Sequence, residues 1–383
     1  MRIAHVTDVY LPRLGGIELQ VRDLAARQRA AGHETVVLTT TPGPHPSEDS
    51  GDPPVLRLGR DASGPGFGPY RVVRGRALAQ SLAERQVEAV HVHVSAFSPL
   101  SWAAARVAAD EGLPTVVSVH SMWHDIVPLA RRYARWHAAG SWPVAWAAVS
   151  SAAAGAVREV LDGAPVAVLP NGLDPEDWLL PAGPTGDVPT VVSVMRMVRR
   201  KRPRELLRAL LTLRASHPGR FRAVLVGDGP LLPSLRRDLD AAGAGGVELT
   251  GALDRTAIRT LLAGADIYLS PAPRESFGIA ALEARSAGLP VIARAGSGVA
   301  DFIQDGVEGW LVDSDDGLIS AVATLLDDPG RLAAVARHNR AVAPCVRWQT
   351  VLESADALYA TAAQRQGIAL GARLSGELIG SPA

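Results

Sequence analysis

Short apolar runs alternate along the chain with longer stretches of helical period. The runs fall at residues 3–6, 35–38, 89–92, 115–119, 145–149 and 166–169, then at 190–194, 223–226, 247–249, 267–269, 291–293 and 310–312. Runs of this kind, bounded by Gly, Pro and Asn, predict buried parallel strands, and the stretches between them predict crossover helices. One expected helix runs from about 17 to 31 and stops at Gly32, and another starts near Pro203, where proline suits a first turn. Residues 316 to about 342 read as one helix and 347 to about 363 as another. The pattern lapses at 41–70, rich in Gly and Pro and without a period, where an irregular excursion around a short strand near 55–58 is expected. Residues 173–189 read as a linker after the turn Pro170-Asn171-Gly172, and 364–383 are indeterminate. The order implies two α/β units in series, 1–173 and 190–346, followed by a helix and tail at 347–383.

Composition narrows the class. A chain of 383 residues suits two domains, or three, and 47% hydrophobic residues suffice for substantial cores. Lys+Arg and Asp+Glu both number 39, so no global field argues for nucleic acid or an anionic membrane. Cys345 stands alone, which excludes a disulfide framework and fits a reducing compartment. The chain opens on a strand rather than a charged and then apolar leader, and no apolar run is long enough to span a bilayer. A cytoplasmic protein is expected.

The densest chemistry lies between Pro273 and Glu283. A strand ending in prolines precedes it, and a helix over 280–287, closed by Gly288 and Pro290, follows. Glu275 therefore sits on a strand-to-helix loop, with Ser276 as the expected N-cap. The amides of Phe277, Gly278 and Ile279 become unpaired donors at a positive helix end, a ready anion site, and Gly278 admits an anion without a Cβ in the way. Glu283 lies farther along the helix, at about 1.5 Å per residue, an offset of the order of a diphosphate-to-ribose distance. One carboxylate can then face a sugar and the other a ribose. The alternative is a helix with one capping and one surface carboxylate.

Glu275-Ser276-Phe277-Gly278 with Glu283 resembles the donor-site signature of retaining glycosyltransferases of the GT-B fold, the group 1 family (family 4). The resemblance extends over about residues 1–359. It implies two Rossmann-like domains facing across a cleft, a ligand at the carboxyl ends of the strands, and a C-terminal helix crossing back to the first domain. The nucleoside diphosphate sugar would be the donor substrate, with no cofactor and no metal. Family members place an Arg after the first strand of the second unit and a Lys five residues later, both on the diphosphate; Arg196 and Lys201 match. Lys201 is also the only lysine in the chain, and every other basic side chain apart from histidine is Arg. An ammonium point charge retained in such a background suggests a role that a planar guanidinium does not fill; a solvated basic turn is the alternative. Met195 and Arg202 stand where the family usually has glycine.

The resemblance implies further roles. Gly15 and Gly16 would cover the donor's diphosphate and sugar, and His120, at a strand end, would contact the transferred sugar. Gly227, in the turn Gly227-Asp228-Gly229-Pro230, would admit the base or serve packing, as would Ser297, Gly298 and Asp301. His93 reads as structural, and with His120, His124 and Asp125 it matches no defined metal-ligand spacing. Over residues 127–140, Leu129, Tyr133 and Trp136 share one helical face and Arg131, Arg132 and Arg135 roughly the other. That face suits either a peripheral membrane contact at the inner face of the membrane or an ordinary core.

The expected activity is retaining transfer of a hexose-type sugar from a UDP- or GDP-linked donor to an acceptor hydroxyl, on a lipid or glycan precursor. Rivals are a GT-B phosphorylase or sugar-nucleotide epimerase and, in another class, a nucleic-acid binder using the arginines between 196 and 208. Neutral net charge and the lack of a binding module argue against the last.

Overall fold

The computed structural model describes residues 1–13, 15–44, 51–58, 63–67, 70–181 and 188–368. The chain forms two compact units, one of residues 1–172 with the C-terminal helix, the other Leu173–Arg347. The first unit opens β1 (Arg2–Thr7), α1 (Gly16–Ala30), β2 (Glu34–Thr39) and β3 (Val55–Arg57). A short antiparallel hairpin follows, β4 (Ser63–Phe67) and β5 (Tyr70–Val73), then α2 (Gly75–Glu84), β6 (Ala89–Val94) and α3 (Pro99–Asp110). The unit continues through β7 (Thr115–Val119), α4 (Val127–Trp136), β8 (Ala145–Ala148), α5 (Ser151–Val160) and β9 (Val166–Val168). Its seven-stranded sheet is parallel throughout, in the order β3-β2-β1-β6-β7-β8-β9. Both faces are covered, so β6 and β7 are buried at every position and read as continuous Val-rich runs.

The second unit repeats the plan with β10 (Thr190–Val194), α6 (Pro203–Ser216), β11 (Arg222–Val226), α7 (Leu232–Ala242), β12 (Val247–Gly251) and α8 (Arg255–Ala263). It is completed by β13 (Ile267–Ser270), α9 (Ile279–Ser286), β14 (Val291–Arg294), β15 (Gly309–Val312), α10 (Asp315–Asp327) and α11 (Pro329–Ala341). Six parallel strands run in the order β12-β11-β10-β13-β14-β15. Val191, Leu225, Ile267 and Ile292 on the sheet pack with Leu206, Leu210 and Leu325 of the covering helices in one core.

The last helix, α12 (Trp348–Arg365), belongs to the first unit and packs on α1, β7 and β8. The Arg27 guanidinium lies 4.9 Å over the Trp348 ring. Gly172 must be glycine here, because a Cβ would overlap the Trp348 indole. Gln20 clamps the same residue, accepting from its N–H at 2.9 Å and donating to its carbonyl at 3.1 Å.

Two expectations are corrected. The single helix over 316–342 is two helices: Pro329 cannot continue α10, and Asp328 accepts from the Arg331 amide at 2.9 Å to start α11. The 41–70 excursion contains the β4–β5 hairpin, whose Gly-Pro-Gly strand has no period to read.

Candidate active site

In the second unit the candidate residues sit on the loops that leave β10 and β13. Arg196 follows β10, is exposed, and has no side-chain partner among the described residues. Its loop is laced to the one after β11: the Met195 amide donates to the Val226 carbonyl at 3.0 Å and the Met197 amide to the Asp228 carbonyl at 2.9 Å. Gly227, at φ +133°, lies so close that a Cβ would fall on the Met195 carbonyl. Its lack of a side chain is used by the protein's own backbone.

Lys201 ends a 3₁₀ turn, Arg199–Lys201, and its ammonium is ion-paired with the Glu275 carboxylate. The next residue, Arg202, is left-handed at φ 59° and ψ 40°. That is the conformation glycine adopts freely, which accounts for the family's preference there. Arg202 holds it while its guanidinium pairs with Asp315, which also receives Arg294 at 2.7 Å. Met195 needs no such freedom, since its φ is not positive.

The start of α9 departs from expectation. Ser276 is not the N-cap; Gly278 is, at φ +92° and ψ +54°, with no side-chain cap. The chain must turn in left-handed geometry against Val299, whose methyl a Cβ on Gly278 would strike, so the position admits only glycine. No hydrogen bond is donated by the Phe277 or Gly278 amide among the described residues. The Phe277 ring is buried against Phe302, centroids 5.3 Å apart, so only its backbone is available to a ligand. The Gly298 amide donates to the Glu275 carbonyl at 2.8 Å and braces the loop. Glu283 is half-buried, and its carboxylate has no hydrogen-bond partner among the described residues. Burial pushes its carboxyl up to about 8, opposed by the Arg255 charge.

In the first unit Gly15 caps α1 in extended geometry and Gly16 begins the helix. The buried Glu18 carboxylate folds back against Gly15 and pairs with Arg13 at 3.2 Å, so the chain already places one anion at this helix start. Asp8, after β1, organises a second start: its carboxylate accepts from the Leu100 amide at 3.0 Å, the Ser101 amide at 3.1 Å and the Ser101 hydroxyl at 2.7 Å. Burial pushes that carboxyl up to about 6 against those donors.

His120, after β7, is one end of a chain of side chains that spacing did not reveal. His120 Nε2 is 3.0 Å from His93 Nδ1, His93 Nε2 is 3.1 Å from His5 Nδ1, and His5 Nε2 is 2.7 Å from Gln28 Oε1. Gln28 Nε2 donates to the Tyr359 hydroxyl at 3.1 Å; that hydroxyl lies 2.9 Å from His91 Nδ1, and His91 Nε2 is 2.8 Å from Ser118 Oγ. His5, His91 and His93 are fully buried or nearly so, and their ligand atoms come within 4.8 Å of one another. Burial lowers the pKa of each imidazole, to about 4 for His5 and His120. The readable signal was the alternation His91-Val92-His93 on one face of β6, with His5 opposite His91 on β1. His124 is exposed on its loop.

The aromatic face of α4 points outward. Leu129 is 72% and Trp136 81% exposed, while Tyr133 leans on Trp102. Arg131 and Arg135 both pair with Asp162 of the turn after α5, at 2.7 Å.

Two family models cover the chain: Glycosyltransferase Family 4 over residues 14–177 and Glycosyl transferases group 1 over 181–342. A GDP-mannose-dependent alpha-(1-6)-phosphatidylinositol monomannoside mannosyltransferase of Mycobacterium tuberculosis is 30% identical, across 91% of this chain and 96% of its own. The chain belongs to the group 1 glycosyltransferases. A glycogen synthase of the same organism is 28% identical across 94% of this glycosyltransferase and 95% of the relative. Among solved structures, Anabaena HepE in complex with UDP superposes with a TM-score of 0.74 at 20% identity, over 93% of this chain and 98% of its own. Sucrose-phosphate synthase from Thermosynechococcus elongatus gives 0.71 at 21% identity, over 94% and 98%. The fold is GT-B, with a parallel-sheet α/β domain in each unit. No helix among the described residues is long and apolar enough to cross a membrane.

Proposed function

We propose that this glycosyltransferase moves a hexose from a UDP- or GDP-linked donor to an acceptor hydroxyl with retention of anomeric configuration and without a metal. The observation that carries the reading is the meeting of Lys201 and Glu275 at the start of α9, beside amides and a Glu283 carboxylate that have no hydrogen-bond partner among the described residues. Arg196, Lys201 and the Phe277–Ile279 amides meet the diphosphate, where charge collects as the anomeric C–O bond breaks. Two cations and a helix terminus supply the neutralisation that a metal would otherwise bring. Glu283 accepts from the ribose hydroxyls and Glu275 from the sugar. On the first unit, His120 contacts the transferred sugar, and Gly15 and Gly16 offer backbone to the donor. The acceptor oxygen bonds to the anomeric carbon on the face the diphosphate leaves, and the departing phosphate oxygen takes the acceptor's proton. The names of similar proteins, which include UDP complexes and GDP-mannose-dependent transfer, support the choice of nucleotides.

A melting screen against UDP-, GDP-, ADP- and dTDP-sugars tests the reading. A true donor at about 100 times its Kd adds about 2.7 kcal/mol and raises Tm by several degrees. A flat response to all four sinks the donor assignment.

The exposed Leu129 and Trp136 favour a peripheral membrane contact as the way to a lipid acceptor. The protein is expected to co-sediment with anionic vesicles at low salt, severalfold less with Trp136→Ala. Absence of wild-type binding removes the lipid arm and leaves the sugar chemistry intact.

A further inference from the structure

The imidazole chain has a direction. In neutral imidazole one nitrogen carries the proton and the other accepts, so the partner of one nitrogen decides the role of the other. The Gln28 amide donates through Nε2 to Tyr359, which turns its Oε1 toward His5. An amide oxygen only accepts, so His5 carries its proton on Nε2 and leaves Nδ1 bare. That bare nitrogen, 3.1 Å from His93 Nε2, requires the proton on His93 Nε2 and leaves His93 Nδ1 bare. The same step, across 3.0 Å, puts the His120 proton on Nε2. The second arm agrees: Tyr359 accepts from Gln28 and donates to His91 Nδ1, and His91 donates from Nε2 to Ser118. Every ring is then an Nε2–H tautomer. Burial keeps all four neutral, so each ring has one protonated and one bare nitrogen.

We propose that Gln28, His5 and His93 are positioning residues that hold His120 as a neutral imidazole with a bare Nδ1, an acceptor for a substrate hydroxyl. Nδ1 has no partner among the described residues. The ring is thereby committed to take a hydrogen bond from an OH group and cannot donate one to a carbonyl or phosphate oxygen from that atom. The network has one other self-consistent arrangement. Rotating the Gln28 amide by half a turn reverses every hydrogen bond and makes His120 Nδ1 a donor. The role of His120 in binding sugar rests on the proposed transfer reaction; the tautomer order does not.

The test is a long-range proton–nitrogen correlation spectrum of the full chain with nitrogen-15 histidine, in zinc-free and zinc-supplemented buffer. The expected wild-type result is Nε2–H for His5, His91, His93 and His120 in both buffers. Nδ1–H forms would overturn the proposal, and so would stoichiometric zinc on the His5, His91 and His93 nitrogens. His93→Phe cuts the chain in its middle. His5, still held by Gln28, is expected to keep its Nε2–H form, while His120 becomes a mixture of tautomers. A merely structural role for His93 would not scramble one ring and spare the other. Gln28→Met removes the amide at similar volume and is expected to scramble His5, His93 and His120 together. Turnover should fall by up to about tenfold in both variants, the worth of one hydrogen bond, with donor KM within about twofold. Scrambled tautomers with full turnover would overturn the link to substrate. Full turnover in His120→Ala would instead remove His120 from the reaction itself, and the spectra would still decide the order of the network.

Discussion

The two units offer chemistry of opposite kinds. The second presents charge at its loops: an exposed guanidinium, an ammonium against a carboxylate, and a helix start without a side-chain cap. The first, beside its buried Asp8 and Glu18 carboxylates, encloses a neutral polar network: imidazoles, an amide and a phenol that satisfy one another beneath a parallel sheet. Ions suit a place where charge builds up and leaves. A neutral network suits a place where a sugar's hydroxyls must be met in one orientation, because buried polar groups satisfied by one another resist rearrangement. If that division holds, substitutions in the second unit act on turnover and nucleotide affinity, and those in the first act on stability and orientation.

The largest effect is expected at Lys201. Lys201→Ala should cut turnover about 10²-fold or more, the scale of losing one preorganised electrostatic donor, with a stability change of no more than about 1 kcal/mol. Lys201→Arg should restore only part, since a planar head replaces a point charge. Steady-state kinetics with matched melting curves decide it. Wild-type turnover in the Arg variant would make the solitary lysine an accident of composition, and in the Ala variant it would remove the charge argument for the second unit.

Glu283 comes next. Above about pH 8, where the carboxylate has formed, Glu283→Gln should weaken nucleoside diphosphate binding by about 1.5–3 kcal/mol, because the ribose loses a charged acceptor. The pH dependence has a definite sign. The folded carboxyl titrates near 8 against an ordinary value of 4.5, so the folded state binds the extra proton between these limits. Stability from this group is complete below pH 4.5 and is lost as pH rises through about 8. Nucleotide affinity should move the other way, strengthening as the carboxylate forms. Calorimetry below and above pH 8 should show that rise in the wild type and a smaller one in the Gln variant; equal slopes would place Glu283 away from the ribose.

The first unit is probed by Tyr359→Phe. The phenol joins α12 to α1 and β6 by bonding Gln28 and His91, both buried. Its loss leaves an amide hydrogen and an imidazole nitrogen unsatisfied, at a cost of about 1–3 kcal/mol. A denaturant midpoint unchanged from the wild type would mean that water or a rearranged Gln28 takes the hydroxyl's place, and the picture of a closed neutral network would fail.

These expectations draw unevenly on what the chain itself makes legible. The α/β order could be read because buried parallel strands are continuous apolar runs, and Glu275, Glu283, Arg196 and Lys201 stand out as candidates because motif and charge are local in sequence. Ser276 has the chemistry of a cap, but only the backbone shows that the turn falls at Gly278, where a positive φ and the Val299 methyl leave no alternative. The break at Pro329 was visible in principle, as a proline after an aspartate inside a helical pattern. The imidazole network could not be assembled from spacing, since Gln28 and Tyr359 are 331 residues apart. Only the pairing of β1 with β6 and the return of α12 to the first unit bring them together.

The smallest expected effect separates backbone from charge at the loop bearing Lys201. Arg202 is held left-handed at φ 59°, which for a residue with a Cβ costs about 1–2 kcal/mol. Its ion pair with Asp315 is partly exposed and worth about 0–1 kcal/mol, and Asp315 keeps Arg294 without it. Arg202→Gly loses the pair and relieves the backbone, but its freer unfolded chain takes back about 0.5–1 kcal/mol. These terms nearly cancel, so Arg202→Gly should lie within about 1 kcal/mol of the wild type. Arg202→Ala loses the pair and gains no relief. It should therefore be the less stable variant, although Ala is favoured over Gly inside a helix, because Arg202 is the N-cap of α6, where Gly is preferred to Ala. Equilibrium denaturation of the pair reads the order directly. If Ala proved the more stable, the loop would relax out of its left-handed turn when the guanidinium is removed, and charge rather than backbone would hold Lys201 in place.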